Sequence, residues 1–142
     1  AVGGQFVDYT INASKEDVVA RVREITGGKM ADILFEATGN AEAAGQAIAL
    51  SNDSALLHFQ SAYTEPVVFP DFIWFTHSAR RMQGSLATTQ PHKKRVLEMI
   101  ATGTFDARCM ITTVRPIDDA PQSYTDVRDH KDTILKLLFA WE

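Results

Sequence analysis

The chain has one cysteine, Cys109, among its 142 residues. That excludes an internal disulfide and suits a reducing, cytoplasmic setting. No apolar run approaches the roughly 18 residues that a membrane-crossing helix needs. Positive charge is not in excess: 14 Lys and Arg stand against 18 Asp and Glu, for a formal net charge of -4. A basic footprint for nucleic acid is therefore missing. There is no internal repeat, low-complexity tract, linker or signal-peptide pattern. His58, His77, His92 and His130 are scattered and match neither each other nor Cys109 at metal-ligand spacing. They read as structural or surface side chains, and no metal site is expected. What remains is one domain, or part of one, with 45% hydrophobic and 23% charged residues, an ordinary globular composition.

What is present is an alternation of short strands and helices. Phe6 to Tyr9 predicts a strand. Ser14 predicts an N-cap with Asp17 three residues on, in the manner of a capping box. Val18, Val19, Val22 and Ile25 recur at helical spacing until Gly27-Gly28 stops the helix. Ile33 to Glu36 predicts a second strand, Ala41 to Leu50 a small-residue helix, Ser51 to Ser54 a turn, and Ala55 to Phe59 a third strand. Such alternation implies an α/β fold with a parallel sheet covered by helices. Further on, residues 66–75 are aromatic-rich and ambiguous. Arg81 to Ser85 predicts a strand and Pro91 to Thr102 a helix. Met110 to Val114 predicts a strand, Ile117 to Val127 a helix and Thr133 to Phe139 a last strand.

In open α/β sheets ligands bind beyond the carboxyl ends of the strands, where the chain must turn sharply and come close to the ligand. Small residues and glycine permit both. Ala37-Thr38-Gly39 stands at one such end and Gly84-Ser85 at another. A plain strand-to-helix turn would also favour Thr, Gly and Asn, so the motif alone leaves both readings open. Other chemistry is thin. Gly84-Ser85-Leu86 lacks the flanking glycines of a nucleophile elbow. The run from His92 to Arg95 reads as a solvated helix face, and Asp8 and Glu36 as polar strand ends facing solvent. No catalytic residue is assigned.

Four stretches in order carry a resemblance: "EDVVARVREITGGKMADILFEATGNAEAAGQAIAL", "RRMQGSL", "VLEMIATGTFD" and "MITTVRPIDDAPQSY". Together they resemble the cofactor domain of the medium-chain, zinc-type alcohol and polyol dehydrogenases. The resemblance implies a partial Rossmann-like (doubly wound) sheet. "QFVDY" would be its third strand, "DILFEATG" the fourth, "ALLHF" the fifth and "RMQGS" the sixth. The first two strands, with their G-x-G-x-x-G loop and ribose-binding acid, would be missing. Residues 1–142 are therefore expected to be one partial dinucleotide-binding domain, the C-terminal part of a longer enzyme whose catalytic domain holds the zinc. With the two intervening strands missing, "QFVDY" is expected to close up against "DILFE".

The resemblance also implies site residues. Ala37, Thr38 and Gly39 match the stretch along the adenosine and its ribose. His58, Phe59 and Gln60 match positions lining the nicotinamide pocket. Ser85 and Ala87 match positions whose backbone bonds the carboxamide. The implied parent reaction passes a hydride between a small alcohol or polyol and NAD or NADP. The isolated chain, with neither phosphate loop nor zinc ligands, is expected to be inactive. A reading from another class is a non-catalytic binding or subunit-association module. Its implied interface would be "YTEPVVFPDFIWF", in a possible homo-oligomer.

Overall fold

A computed structural model describes residues 7–85, 88–130 and 133–141. The chain divides into two compact units, Tyr9–Thr88 and Thr89–Glu142 with Ala1–Asp8.

The unit Tyr9–Thr88 opens with α1, Val18–Ile25. Its cap is Asp17, whose carboxylate accepts the Ala20 N–H at 3.0 Å. Ser14 does not cap the helix, because its hydroxyl donates to Asn12 Oδ1 at 2.7 Å in a turn one step earlier. The helix ends as the sequence predicts, with Gly27 and Gly28 both at positive φ. Gly28 lies at φ +83° and a Cβ there would meet nothing within 4 Å. A Gly28→Ala substitution thus adds backbone strain and no clash. It is expected to cost about 1 kcal/mol, readable as a lower urea midpoint with an unchanged slope.

Three parallel strands follow, β1 (Ala31–Glu36), β2 (Ser51–Phe59) and β3 (Arg81–Gly84), in the order β1-β2-β3. Helix α2, Ala41–Gly45, stops short of the predicted Leu50. There the bonds tighten: the Gln46 and Ala47 N–H groups reach only three residues back, to Ala43 and Ala44. The predicted turn at Ser51 to Ser54 survives inside β2 as an irregularity. Ala31 pairs with Ser51 but Ile33 pairs with Leu56, and Asn52 Oδ1 accepts the Ser54 N–H at 2.9 Å. The ambiguous aromatic stretch contains a short helix, α3, Phe72–Thr76.

Period-two alternation sorts the sheet into two faces. On one, Leu57 joins Ala47, Ile48 and Ala55 in a buried cluster. Leu34, Phe59, Phe69, Phe75 and Met82 pack against it. On the other, Ile33 and Phe35 are exposed. The expected strand at Phe6 to Tyr9 does not form over its described part. Val7 to Tyr9 are irregular, Phe6 lies outside the described residues, and among the described residues β1 pairs with β2 alone. Val7 and Tyr9 are exposed, so they bury too little apolar surface to offset the entropy of ordering a strand.

The second unit contains α4 (Gln90–Ala101), β4 (Thr113–Pro116), α5 (Ala120–Asp129) and β5 (Leu137–Ala140). Strands β4 and β5 pair in parallel. The strand predicted from Met110 begins later, because Ala107–Met110 forms a 3-10 turn capped by Asp106. Arg115 on β4 reaches Asp126 on α5 at 2.6 Å. Hydrogen bonds from Gln122 and then Arg115 hold the Asp126 carboxyl below its usual range. The folded value is depressed, so this contribution is present above the ordinary carboxylate range and fades as pH falls below it.

Candidate functional site

Because the strands run in parallel, their carboxyl ends line up. Glu36 stands opposite Phe59, and Phe59 opposite Gly84. The ladder continues one step past each end: Gln60 N–H donates to Glu36 O at 3.0 Å and Ser85 N–H donates to Phe59 O at 3.1 Å. Thr38, Gly39, Gln60 and Ser85, far apart in the chain, thus follow three adjacent strand ends.

Gly39 sits at φ +71°, and a Cβ there would come within 3.2 Å of Ala62 O. The turn after β1 and the loop after β2 therefore touch, and glycine takes both the φ value and the approach without strain. Asn40 then caps α2, its Oδ1 accepting the Ala43 N–H at 3.0 Å.

The other predicted residues point different ways. Ala37 is exposed at the same edge. His58 is half-buried, its ring 5.2 Å from that of Phe35, its register partner. Phe59 turns toward the core and meets Phe69 edge-on at 5.9 Å. Ala87 lies outside the described residues.

Sequence reasoning misplaced Glu36 and missed Tyr63. Glu36 does not face solvent: it is 5% exposed. One carboxylate oxygen accepts the Thr38 N–H at 2.8 Å and the Thr38 hydroxyl; the other accepts the Tyr63 hydroxyl. A carboxylate at that depth needs such donors. The short run Glu-Ala-Thr held part of this signal, since Thr38 can fold back onto Glu36. Tyr63, 27 residues away, carried none.

Beside Thr38 and Asn40 an open groove of ≈ 920 Å³ runs between the start of α1 and α2. Glu16, Asp17 and Glu42 line it, and among the described residues no Lys or Arg does. The small residues at the strand ends suit the close approach of a nucleoside. The groove does not suit a diphosphate, which would meet three carboxylates, of which Glu16 has a cation, Arg21, at 3.8 Å. Nor do the residues fit a metal: among the described residues, no three His, Cys, Asp or Glu side chains gather at ligating distance.

A family model described as zinc-binding dehydrogenase matches residues 4–102, more than half of the chain. An uncharacterized zinc-type alcohol dehydrogenase-like protein of Haemophilus influenzae is 28% identical over 141 residues, which cover 92% of this chain and 38% of that protein. The chain thus spans less than two fifths of that relative. Among solved structures, an Escherichia coli oxidoreductase/dehydrogenase of unknown specificity superposes with TM-score 0.83 at 24% identity, covering 94% of this chain and 38% of the other. A short chain alcohol dehydrogenase of Escherichia coli CFT073, complexed with NADH, gives TM-score 0.84 at 14% identity, covering 98% and 40%. At these identities the two structures speak for the fold.

Proposed function

The chain belongs to the zinc-binding dehydrogenase family, and on that premise we propose that it is one part of a nicotinamide-cofactor-binding domain. The parent would be an alcohol or polyol dehydrogenase. The observation that carries this reading is the alignment of three parallel strand ends with Thr38-Gly39, Gln60 and Ser85 beyond them. When bound, NAD or NADP supplies the hydride acceptor for the alcohol carbon. The residues of this chain bind and orient. Ala37, Thr38 and Gly39 present a low edge that a ribose can approach. The backbone beyond β2 and β3, at Gln60 and Ser85, offers polar groups to a flat amide. His58 and Phe59 help shape that end through their neighbours, Phe35 and Phe69. The diphosphate-binding loop, the acid that separates NAD from NADP and the zinc-binding domain are assigned to sequence outside this chain. A cytoplasmic setting suits the lone cysteine. Among the described residues, no helix is long and apolar enough to cross a membrane.

A second reading, a non-catalytic association module in a homo-oligomer, is favoured by the exposed Val68, Phe72, Ile73 and Trp74. Two measurements separate the readings. DNA upstream of Ala1 with an in-frame G-x-G-x-x-G about 50 residues before it favours the enzyme part; uninterrupted stop codons there sink it. Calorimetric titration of the 142-residue chain with NAD⁺ is expected to give a Kd in the millimolar range or weaker, about -4 kcal/mol at best. The acidic groove and the lack of a phosphate loop are the causes, and micromolar affinity would overturn that account.

A further inference from the structure

The buried carboxylate at the end of β1 does more than satisfy its own donors. Glu36 Oε2 accepts from Tyr63, in the loop after β2, while Oε1 accepts the N–H and hydroxyl of Thr38, in the turn after β1. The Thr38 hydroxyl in turn accepts the Asn40 N–H at 3.0 Å, and Asn40 caps α2. A polar chain therefore runs Tyr63–Glu36–Thr38–Asn40 from one loop, through a strand end, to the next helix. The same two segments meet again where Gly39 faces Ala62 O. A carboxylate so buried is an unusual choice for joining two loops, since an apolar contact would avoid its desolvation cost. Its gain is directional: two oxygens, aimed oppositely, fix two segments at once.

We propose that Glu36 is a positioning residue, a latch that holds the loop 60–63 against the turn 37–39 so that both reach the cofactor as one rigid wall. The cofactor part rests on the function proposed above; the latch itself does not. Tyr63 and Thr38 bond different oxygens of one carboxylate, so loss of one is felt at the other through Glu36, even though the Gly39–Ala62 contact remains.

The test uses the ¹⁵N-labelled 142-residue chain and the variants Tyr63→Phe and Glu36→Gln. In Tyr63→Phe the Thr38 amide, which Tyr63 does not bond, is expected to exchange with solvent at least tenfold faster. Amides of β2 at Ala55 to Leu57 are expected to keep their protection, which distinguishes an opened latch from general destabilisation. Glu36→Gln keeps one acceptor oxygen, so it is expected to loosen only one of the two, the Thr38 amide or the 61–63 segment. If Glu36→Gln does not fold, Tyr63→Phe decides alone. An unchanged Thr38 amide in Tyr63→Phe overturns the proposal, as does an equal loss of protection throughout β2. NAD⁺ titrated to tens of millimolar, above the expected Kd, supplies the second arm. Amides of 38–40 and 60–63 are expected to shift together in the native chain and to lose that concert in Tyr63→Phe. If neither segment shifts in the native chain, the cofactor reading of this edge fails, and the exchange result still decides the latch.

Discussion

An Arg80→Ala variant is expected to lose about 3 kcal/mol of stability, a fall in Tm of roughly 15 °C for a unit of this size. The Arg80 side chain is only 7% exposed. Its guanidinium donates to Ser51 Oγ at 3.0 Å, to Ser51 O at 2.8 Å and to Trp74 O at 3.0 Å. It thereby ties the start of β2 to α3, just ahead of β3. Removing it leaves the part-buried Ser51 acceptors without this partner, which costs more than those bonds contribute in net, while Trp74 O stays open to water. The ion pair with Asp53, at 3.1 Å, is the minor part, since the Asp53 side chain is 86% exposed. Exposed partners of this kind are worth about 0–1 kcal/mol. Asp53→Asn should therefore change the Tm little. Arg80→Lys should lose most of what alanine loses, because an ammonium cannot serve three acceptors spread across a planar fork. Thermal unfolding followed by circular dichroism checks all three. An Asp53→Asn effect as large as that of Arg80→Ala would show that charge, and not the hydrogen-bonded fork, carries the stability.

Gly45→Ala is the second large effect, and its sign runs against propensity. Alanine at a helical glycine ordinarily gains up to about 1 kcal/mol. At the end of α2, however, the added Cβ would lie 2.5 Å from Val68 O. That neighbour is backbone and cannot rotate away, so α2 or the 66–70 segment must shift. Overpacking of this kind costs about 1–3 kcal/mol. A net loss near 2 kcal/mol is expected, against the roughly 1 kcal/mol assigned to Gly28→Ala, where strain acts without contact. Urea unfolding of the two variants side by side checks the order. A Gly45→Ala protein as stable as the native chain would mean that this contact is loose.

Much of the architecture was already written in local patterns. The Gly27-Gly28 stop, the apolar run into Glu36, the Ala55 to Phe59 strand and the helix from Pro91 each follow from short-range chemistry. Backbone φ preferences, side-chain spacing and proline placement act within a few residues, so the sequence alone determined these elements, the α/β class and the family. The small residues at Thr38-Gly39 and Gly84-Ser85 likewise mark strand ends by residue type alone.

Where elements start and stop, and what each side chain faces, depended on partners distant in the chain. Asp17 displaced Ser14 as the cap because Asn12 holds the Ser14 hydroxyl. "QFVDY" has strand-like residues but its described part lacks a strand partner, and pairing is not a local property. Glu36 looked like a solvent-facing acid until Tyr63 arrived from the next loop to cover it. Arg80 is a cation whose burial nothing in its neighbours in sequence signals, and β2 and α3 close around it. Only the tertiary structure could decide these burials. Burial of a charge is settled by whether donors or acceptors separated in sequence meet it at hydrogen-bond distance, and residue type and spacing do not encode that meeting.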